Sequence, residues 1–259
     1  MTTITKTVKK YGNSGGVYLP ADWIGGTVQI RLAEEPLDPR KDLLSLPLEH
    51  IVSIILYGSY ARGEMEKDSD IDLILVVDDP EIKVSSELRQ KYDIQIKTVQ
   101  QIKNTMNRDP IFHKSIKDSS MAIINRQFLD SLKSETNLDM SGIKIRIELA
   151  QSSLSIVKSF AENYEDLTDM AYSIIMHLKE MLIIDCLFSN RKYTTKLLMK
   201  EILKHISPSD AYDVMNAYRS IRDNKKYTVK ISEEVISRLI LLLEAKIKDV
   251  KQKAHKKRH

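Results

Sequence analysis

The chain has 259 residues, with 40 Lys and Arg against 36 Asp and Glu and 42% hydrophobic residues, a balance that excludes a disordered or fibrous protein. Its longest apolar stretch, near 181–188, already contains an Asp and falls well short of the ~20 residues a bilayer span needs. The opening MTTITKTVKKYG has no apolar h-region, so no membrane span or export signal is expected and the cytoplasm is the expected compartment. The single cysteine, Cys186, excludes an internal disulfide and a cysteine-based zinc site and reads as a small core hydrophobe.

Residues 1–33 hold five of the eight glycines and place β-prone runs at 5–11, 16–19 and 27–32. Between them lie a turn at Asn13-Ser14-Gly15-Gly16 and a helical turn at Pro20-Ala21-Asp22-Trp23. A unit this short has no private core, so it either packs on its neighbour or pairs with a second copy. Lys6, Lys9, Lys10 and Arg31 against Asp22 leave it net positive, which permits contact with phosphates. Residues 34–48, with Pro36, Pro39 and Pro47, read as a linker. Residues 49–138 alternate short apolar runs (51–57, 71–77, 92–99 and 121–125) with polar or helical segments, the pattern of an α/β or α+β domain.

From 139 to 259 Gly and Pro almost vanish and apolar residues recur at helical spacing, as in Ile143-Ile147-Ala150-Leu154-Val157. This is a bundle of about five helices, with breaks near Asn163-Tyr164-Glu165, Ser189-Asn190, 207–210 and 223–227. Ser207 or Ser209 suits one N-cap, and Ser232 followed by Glu233 and Glu234 suits the last. His177 reads as a residue on a helix face. Residues 246–259 carry seven Lys and Arg and one Asp. They read as a solvated, frayed terminus, with a nucleic acid or other polyanion as the alternative partner.

The chemistry sits in ILYGSYARGEMEKDSDIDLILVV, residues 55–77. Gly58 permits a tight turn and close backbone approach to a phosphate, Ser59 adds a hydroxyl, and a helix opening at Tyr60 would turn its free N–H groups toward the same anion. Arg62 is a candidate bidentate phosphate donor. Beyond Ser59, with ten residues between, comes Asp70-Ile71-Asp72, at the start of a strand, where alternation sends both carboxylates to one face. Unpartnered they would repel, so a divalent cation is the natural partner, and magnesium suits an all-oxygen set. Asp93, early in the run KYDIQIKTV, is the candidate third acid. With two ions this arrangement supports nucleotidyl transfer.

The segment GSYARGEMEKDSDIDLILVV resembles the signature of the minimal nucleotidyltransferases of the DNA polymerase β superfamily. That resemblance implies a small mixed sheet, two magnesium ions held by Asp70, Asp72 and Asp93, an NTP donor (ATP), and Gly58, Ser59 and Arg62 against the triphosphate. The helical zone resembles HEPN domains. Active ribonucleases of that group have an Arg followed by a His, but here Arg222-Asp223-Asn224-Lys225-Lys226-Tyr227 puts Tyr227 where the His would be, so no nuclease activity is expected. The N-terminal module resembles AbrB-like swapped-hairpin domains, which implies a homodimer and, in some relatives, DNA binding.

The fold class expected is therefore α+β: an N-terminal β module, a central mixed-sheet domain and a C-terminal all-α bundle. The expected function is magnesium-dependent transfer of NMP from an NTP to a hydroxyl acceptor on a small molecule or protein. An alternative is a DNA-binding regulator or antitoxin-like protein in which the transferase fold is a scaffold. A third reading has the enzyme modify a tyrosine of a toxin-like partner, or its own Tyr227.

Overall fold

A computed structural model describes residues 4–30, 39–65, 70–160, 167–225 and 230–257. Arg31, Tyr227 and the break at Asn163-Tyr164-Glu165 lie outside these residues. The chain divides into two compact units, Met1–Asp38 and Pro39–His259.

In the first unit, β1 (Lys9–Tyr11) and β2 (Ser14–Gly16) form an antiparallel hairpin in which Tyr11 faces Ser14. The turn is Gly12-Asn13, one step earlier than the sequence suggests. Gly12 takes the left-handed conformation (φ 58°) that a two-residue hairpin loop demands, so Ser14, Gly15 and Gly16 become the second strand. A one-turn helix at Ala21–Trp23 follows, with Pro20 at its N-cap. Residues 27–30 form no strand, which corrects the reading of 27–32. Strands need a partner to satisfy their backbone, and none of the described residues pairs with this run.

The second unit opens with α1 (Pro39–Asp42) and runs through β3 (Ile51–Tyr57), α2 (Gly58–Arg62), β4 (Asp72–Val77), α3 (Ser86–Lys91), β5 (Asp93–Thr98), α4 (Val99–Arg108), α5 (Pro110–Ser119), β6 (Met121–Ile124) and α6 (Arg126–Glu135). The strands form one mixed sheet in the order β5-β4-β3-β6, with β4 and β5 parallel and the other pairs antiparallel. The parallel pair needs a crossover, and α3 supplies it. Alternation sorts the strand side chains cleanly. Ile54, Leu73, Leu75, Val77 and Ile94 pack on one face with Leu43, Leu88 and Tyr92. Ile55, Ile74 and Val76 pack on the other with Ile102 and Met106 of α4, Ile116 of α5, and Leu129 and Leu132 of α6.

Among the described residues five helices follow, as the periodicity implies: α7 (Met140–Phe160), α8 (Thr168–Phe188), α9 (Thr195–Ile202), α10 (Pro208–Arg222) and α11 (Glu233–Lys256). They share one hydrophobic core, and α8 runs through it with Ile174, Ile175, Leu178, Met181, Leu182, Ile184 and Cys186 buried. Ser207 caps α10, accepting from the Asp210 N–H, and Ser232 caps α11, accepting from that of Val235. Cys186 is buried as expected. His177 is buried too, with Nδ1 3.3 Å from Glu180 Oε2, so it faces the interior rather than solvent.

Up to Lys256 the basic C-terminal run is helical, as part of α11, rather than a frayed end. Asp185 of α8 is buried, and Lys253 and Lys246 of α11 pair with it, as does Arg191. Two of the run's cations thus serve as structural counter-ions, which explains why a lysine-rich end holds its shape. Among the described residues no helix is long and apolar enough to cross a membrane.

Arg146 and Gly142 are among the residues that join the sheet domain to the bundle. Arg146 of α7 bridges Asp109, the N-cap of α5, and Glu180 of α8, at 2.8 Å each. Gly142 lets α7 cross the α4–α5 corner, since a Cβ there would fall 1.8 Å from the Arg108 carbonyl oxygen.

Candidate functional site

Strand β3 ends at Tyr57 and the chain turns at once into α2. Gly58 makes that turn at φ 71°, and Gly63 closes the helix at φ 68°, both in the left-handed region that L side chains enter at a cost of about 1–2 kcal/mol. Helix α2 begins at Gly58 rather than Tyr60 and lasts five residues. Gly58 has a second reason to be glycine: a Cβ there would lie 1.8 Å from Asp72 Oδ2 and 2.6 Å from its carboxyl carbon. The Asp72 carboxylate therefore rests directly against bare backbone.

Register places the acids. Tyr57 faces Asp72 across β3 and β4, and Asp72 faces Asp93 across β4 and β5. The three residues form one row on one face of the sheet. Asp70 precedes β4 and is exposed, so alternation within the strand does not govern it. Among the described residues no three His, Cys, Asp or Glu converge closely enough to hold an ion. The structure thus brings Asp72 and Asp93 side by side, with Asp70 near enough for its charge to act on Asp72.

Electrostatics centre on Asp72. Burial, and then the charges of Asp93 and Asp70, push its carboxyl up to about 6, against the opposing pull of Arg62 and Lys179. The donors that Asp72 and Asp93 offer side by side are all carboxylate oxygens. That set fits a hard divalent cation.

Three cations sit around this row. Arg62 donates through Nε to Glu64 at 3.0 Å, and Glu64 in turn accepts from the backbone N–H and hydroxyl of Thr195 at the start of α9. Lys179, in the middle of α8, is half-buried. Its ammonium is driven below the usual range by burial, then by Arg62 and Arg222, while Glu180 and Asp72 oppose that shift. Arg222, at the end of α10, feels the charge of Asp70.

On the β5 side Gln95 Nε2 donates to the Tyr57 hydroxyl at 2.8 Å. The Tyr57 ring meets Phe112 edge to face, and Lys97 lies over Phe112. Sequence reasoning missed Tyr57, Glu64, Gln95 and Lys179 as neighbours of the row. Gln95 was reachable, since it follows Asp93 by two on the same strand. Lys179 gave no signal, because it arrives from a helix more than 80 residues away along the chain.

The chain is similar to several known proteins. Residues 40–129 match the family described as Nucleotidyltransferase domain. A protein of Methanocaldococcus jannaschii named as a protein adenylyltransferase, MJ0141, is 35% identical over 88 residues, which cover 31% of this chain and 78% of that protein. A second one from the same organism, MJ0604, is 35% identical over 71 residues, covering 26% of this chain and 71% of that one. A solved spectinomycin adenyltransferase of Enterococcus faecialis, AAD(9), with ATP and spectinomycin, aligns over 81% of this chain and 95% of its own at 14% identity, with a TM-score of 0.45. The family match spans the stretch from α1 through β6, which holds every residue of the carboxylate row, and the chain belongs to the nucleotidyltransferase family and is a transferase enzyme.

Proposed function

We propose that the enzyme transfers AMP from magnesium-bound ATP to a hydroxyl group on a protein, with Asp72 and Asp93 at the heart of the metal-binding set and Asp70 joining them. One observation carries this reading: two carboxylates adjacent in register, the inner one seated on Gly58 and pushed toward its protonated form by burial and by its acidic neighbours. The two relatives named as protein adenylyltransferases support ATP as donor and a protein as acceptor.

Two magnesium ions, when bound, supply a lowered pKa at the acceptor hydroxyl and neutralise charge on the leaving group. The acceptor oxygen attacks the α-phosphorus, the bond to the β-phosphate breaks, and pyrophosphate leaves. Asp93, the outer and exposed acid, takes the hydroxyl proton. Gly58 and Ser59 cradle the triphosphate at the start of α2. Arg62, with Lys179 and Arg222 near it, faces the charge that accumulates on pyrophosphate.

The proposed organisation is an AbrB-like module at 1–33, a linker at 34–48, the transferase domain at 49–138 and a HEPN-like bundle at 139–259. Dimerisation through the first module is supported by its surface: among its described residues no large hydrophobic is buried, and Ile24 is 86% exposed. Such a module needs a partner for its apolar side chains, and its lysines leave nucleic acid as a further ligand.

The test is binding of a non-hydrolysable ATP analogue with and without magnesium, for the wild type and for Asp72→Asn with Asp93→Asn. Binding should require both the metal and the acids. Intact mass of candidate acceptor proteins after incubation with ATP should then rise by one AMP. Binding indifferent to metal and substitutions alike would end this reading.

A further inference from the structure

Helices α7 and α11 lie side by side and antiparallel. Lys158, near the end of α7, pairs with Glu244 in the first half of α11, and Met140, at the start of α7, lines the same hollow as Ala254 near the end of α11. On one side of this seam the facing residues are short, namely Ser155 on α7 and Ala245 and Ala254 on α11. Close packing is incomplete there, and a trough of about 880 Å³ opens between the helices. A smaller hollow of about 210 Å³ continues it toward the start of α7, and Gln151, Lys251 and His255 belong to both. Together they follow α7 from Met140 to Lys158, ~27 Å at ~1.5 Å per residue.

The floor of the trough is apolar, made by Ile143, Ile147 and Leu154 of α7 and Ile247 of α11. Leu241 lines it at one end with 62% of its surface exposed. The walls are charged, and only one sign is left over. Glu244 is matched by Lys158, and Glu148 by Lys144 at 3.7 Å. Lys248 and Lys251 stand exposed on the α11 wall, and among the described residues no acid lies within ion-pair distance of either. An apolar floor beside uncompensated lysines is complementary to a rod that is apolar on one side and acidic on its flank, which is an amphipathic helix. A nucleic acid is gripped by arginine forks and by aromatic rings on which bases stack. Among the described residues no Arg, Phe, Tyr or Trp lines the trough, and phosphates on the lysines would leave its apolar floor uncovered.

We propose that the trough between α7 and α11 is a docking site for a partner protein that lays an acidic amphipathic helix along it. The helix sets apolar residues at i, i+3 or i+4 and i+7 over Leu154 and Ile247, and its carboxylates meet Lys248 and Lys251. No residue of the trough belongs to the carboxylate row, so the proposal stands whatever reaction that row performs.

The experiment follows the fluorescence anisotropy of a labelled synthetic helix of about 18 residues, with Leu along one face and Glu along the other, titrated with the full-length protein. The comparison probes are a scrambled peptide of the same composition, the same helix with Lys for Glu, and a single-stranded RNA. The variants are Lys248→Glu with Lys251→Glu, which reverses the wall, and Ala245→Trp, which fills the trough. All three positions are exposed, so urea unfolding midpoints should stay close to wild type. The acidic helix should bind at least about tenfold more tightly than the scrambled or Lys peptide, and each variant should lose about tenfold or more. On the reversed wall the Lys helix should become the better ligand. Acidic and scrambled peptides that bind alike, or acidic binding that neither variant weakens, would overturn the proposal. RNA binding that Lys248→Glu with Lys251→Glu abolishes, alongside an acidic helix that does not bind, would overturn it in favour of a nucleic acid.

Discussion

Gly58 and Gly63 bracket one short helix at nearly the same left-handed φ, 71° and 68°, and this makes them a matched pair for a quantitative test. Alanine at either position pays the same backbone penalty, about 1–2 kcal/mol. Around Gly63 nothing lies within 4 Å of a Cβ, so Gly63→Ala should lose that amount and little else. At Gly58 the added methyl would stand 1.8 Å from Asp72 Oδ2 and 3.1 Å from its Cβ. Only the carboxylate is free to move, and it has to retreat by well over 1 Å to reach ordinary contact. A misplacement of about 1 Å at a reacting centre costs on the order of a hundredfold in rate. Urea unfolding should therefore show similar destabilisation of the two variants, while adenylyl transfer falls at least about a hundredfold in Gly58→Ala and only a few-fold in Gly63→Ala. Equal activities in the two variants would refute the claim that Gly58 exists to seat Asp72.

Other outcomes follow from the same structure. Gly142→Ala drives a Cβ into the Arg108 carbonyl, a backbone atom with nowhere to go, and should cost about 3 kcal/mol in urea unfolding. Asp185→Ala leaves Lys246 and Lys253 beside a buried, empty position and should destabilise the bundle by about 3–5 kcal/mol in the same assay. Burial raises the Asp185 carboxyl, but the Lys253 hydrogen bond and the charges of Lys246, Lys253 and Arg191 outweigh it and hold the group below its usual range. A depressed acid stabilises the fold above its unfolded pKa, near 3.9, and that contribution disappears as pH falls through the lower folded value. Wild type should accordingly lose stability between pH 4 and pH 2 more steeply than Asp185→Asn. Glu64→Ala removes an acceptor from the Thr195 N–H and hydroxyl and should cost about 1–2 kcal/mol in urea unfolding.

How much was legible follows from where each signal resides. Local periodicity identified the strands of the sheet and the number of helices after residue 139, because burial on one face imprints period 2 or 3.6 directly on the chain. The motif around Gly58 and Asp72 was equally plain, and Asp93 was found because its β-prone run announces which face it occupies. Register was not legible: that Asp72 faces Asp93 depends on how β4 and β5 align, and no local pattern carries that information. The run at 27–30 shows the converse error, since β-prone residues form no strand where none of the described residues pairs with them. The lysines after residue 246 looked like a solvated end because their counter-charge, Asp185, lies 60 residues upstream and is visible only after α8 and α11 meet.

The clasp of Arg62, Glu64 and Thr195 makes the helical half a poor candidate for a swappable cassette. The segment leaving the glycine turn is moored to the first turn of α9 by a carboxylate that grips both a guanidinium and a helix start. A graft that exchanged the bundle would cut that mooring and loosen the segment after the glycine turn at the same stroke. Any replacement helix would have to bring a matched hydroxyl and amide to the position of Thr195.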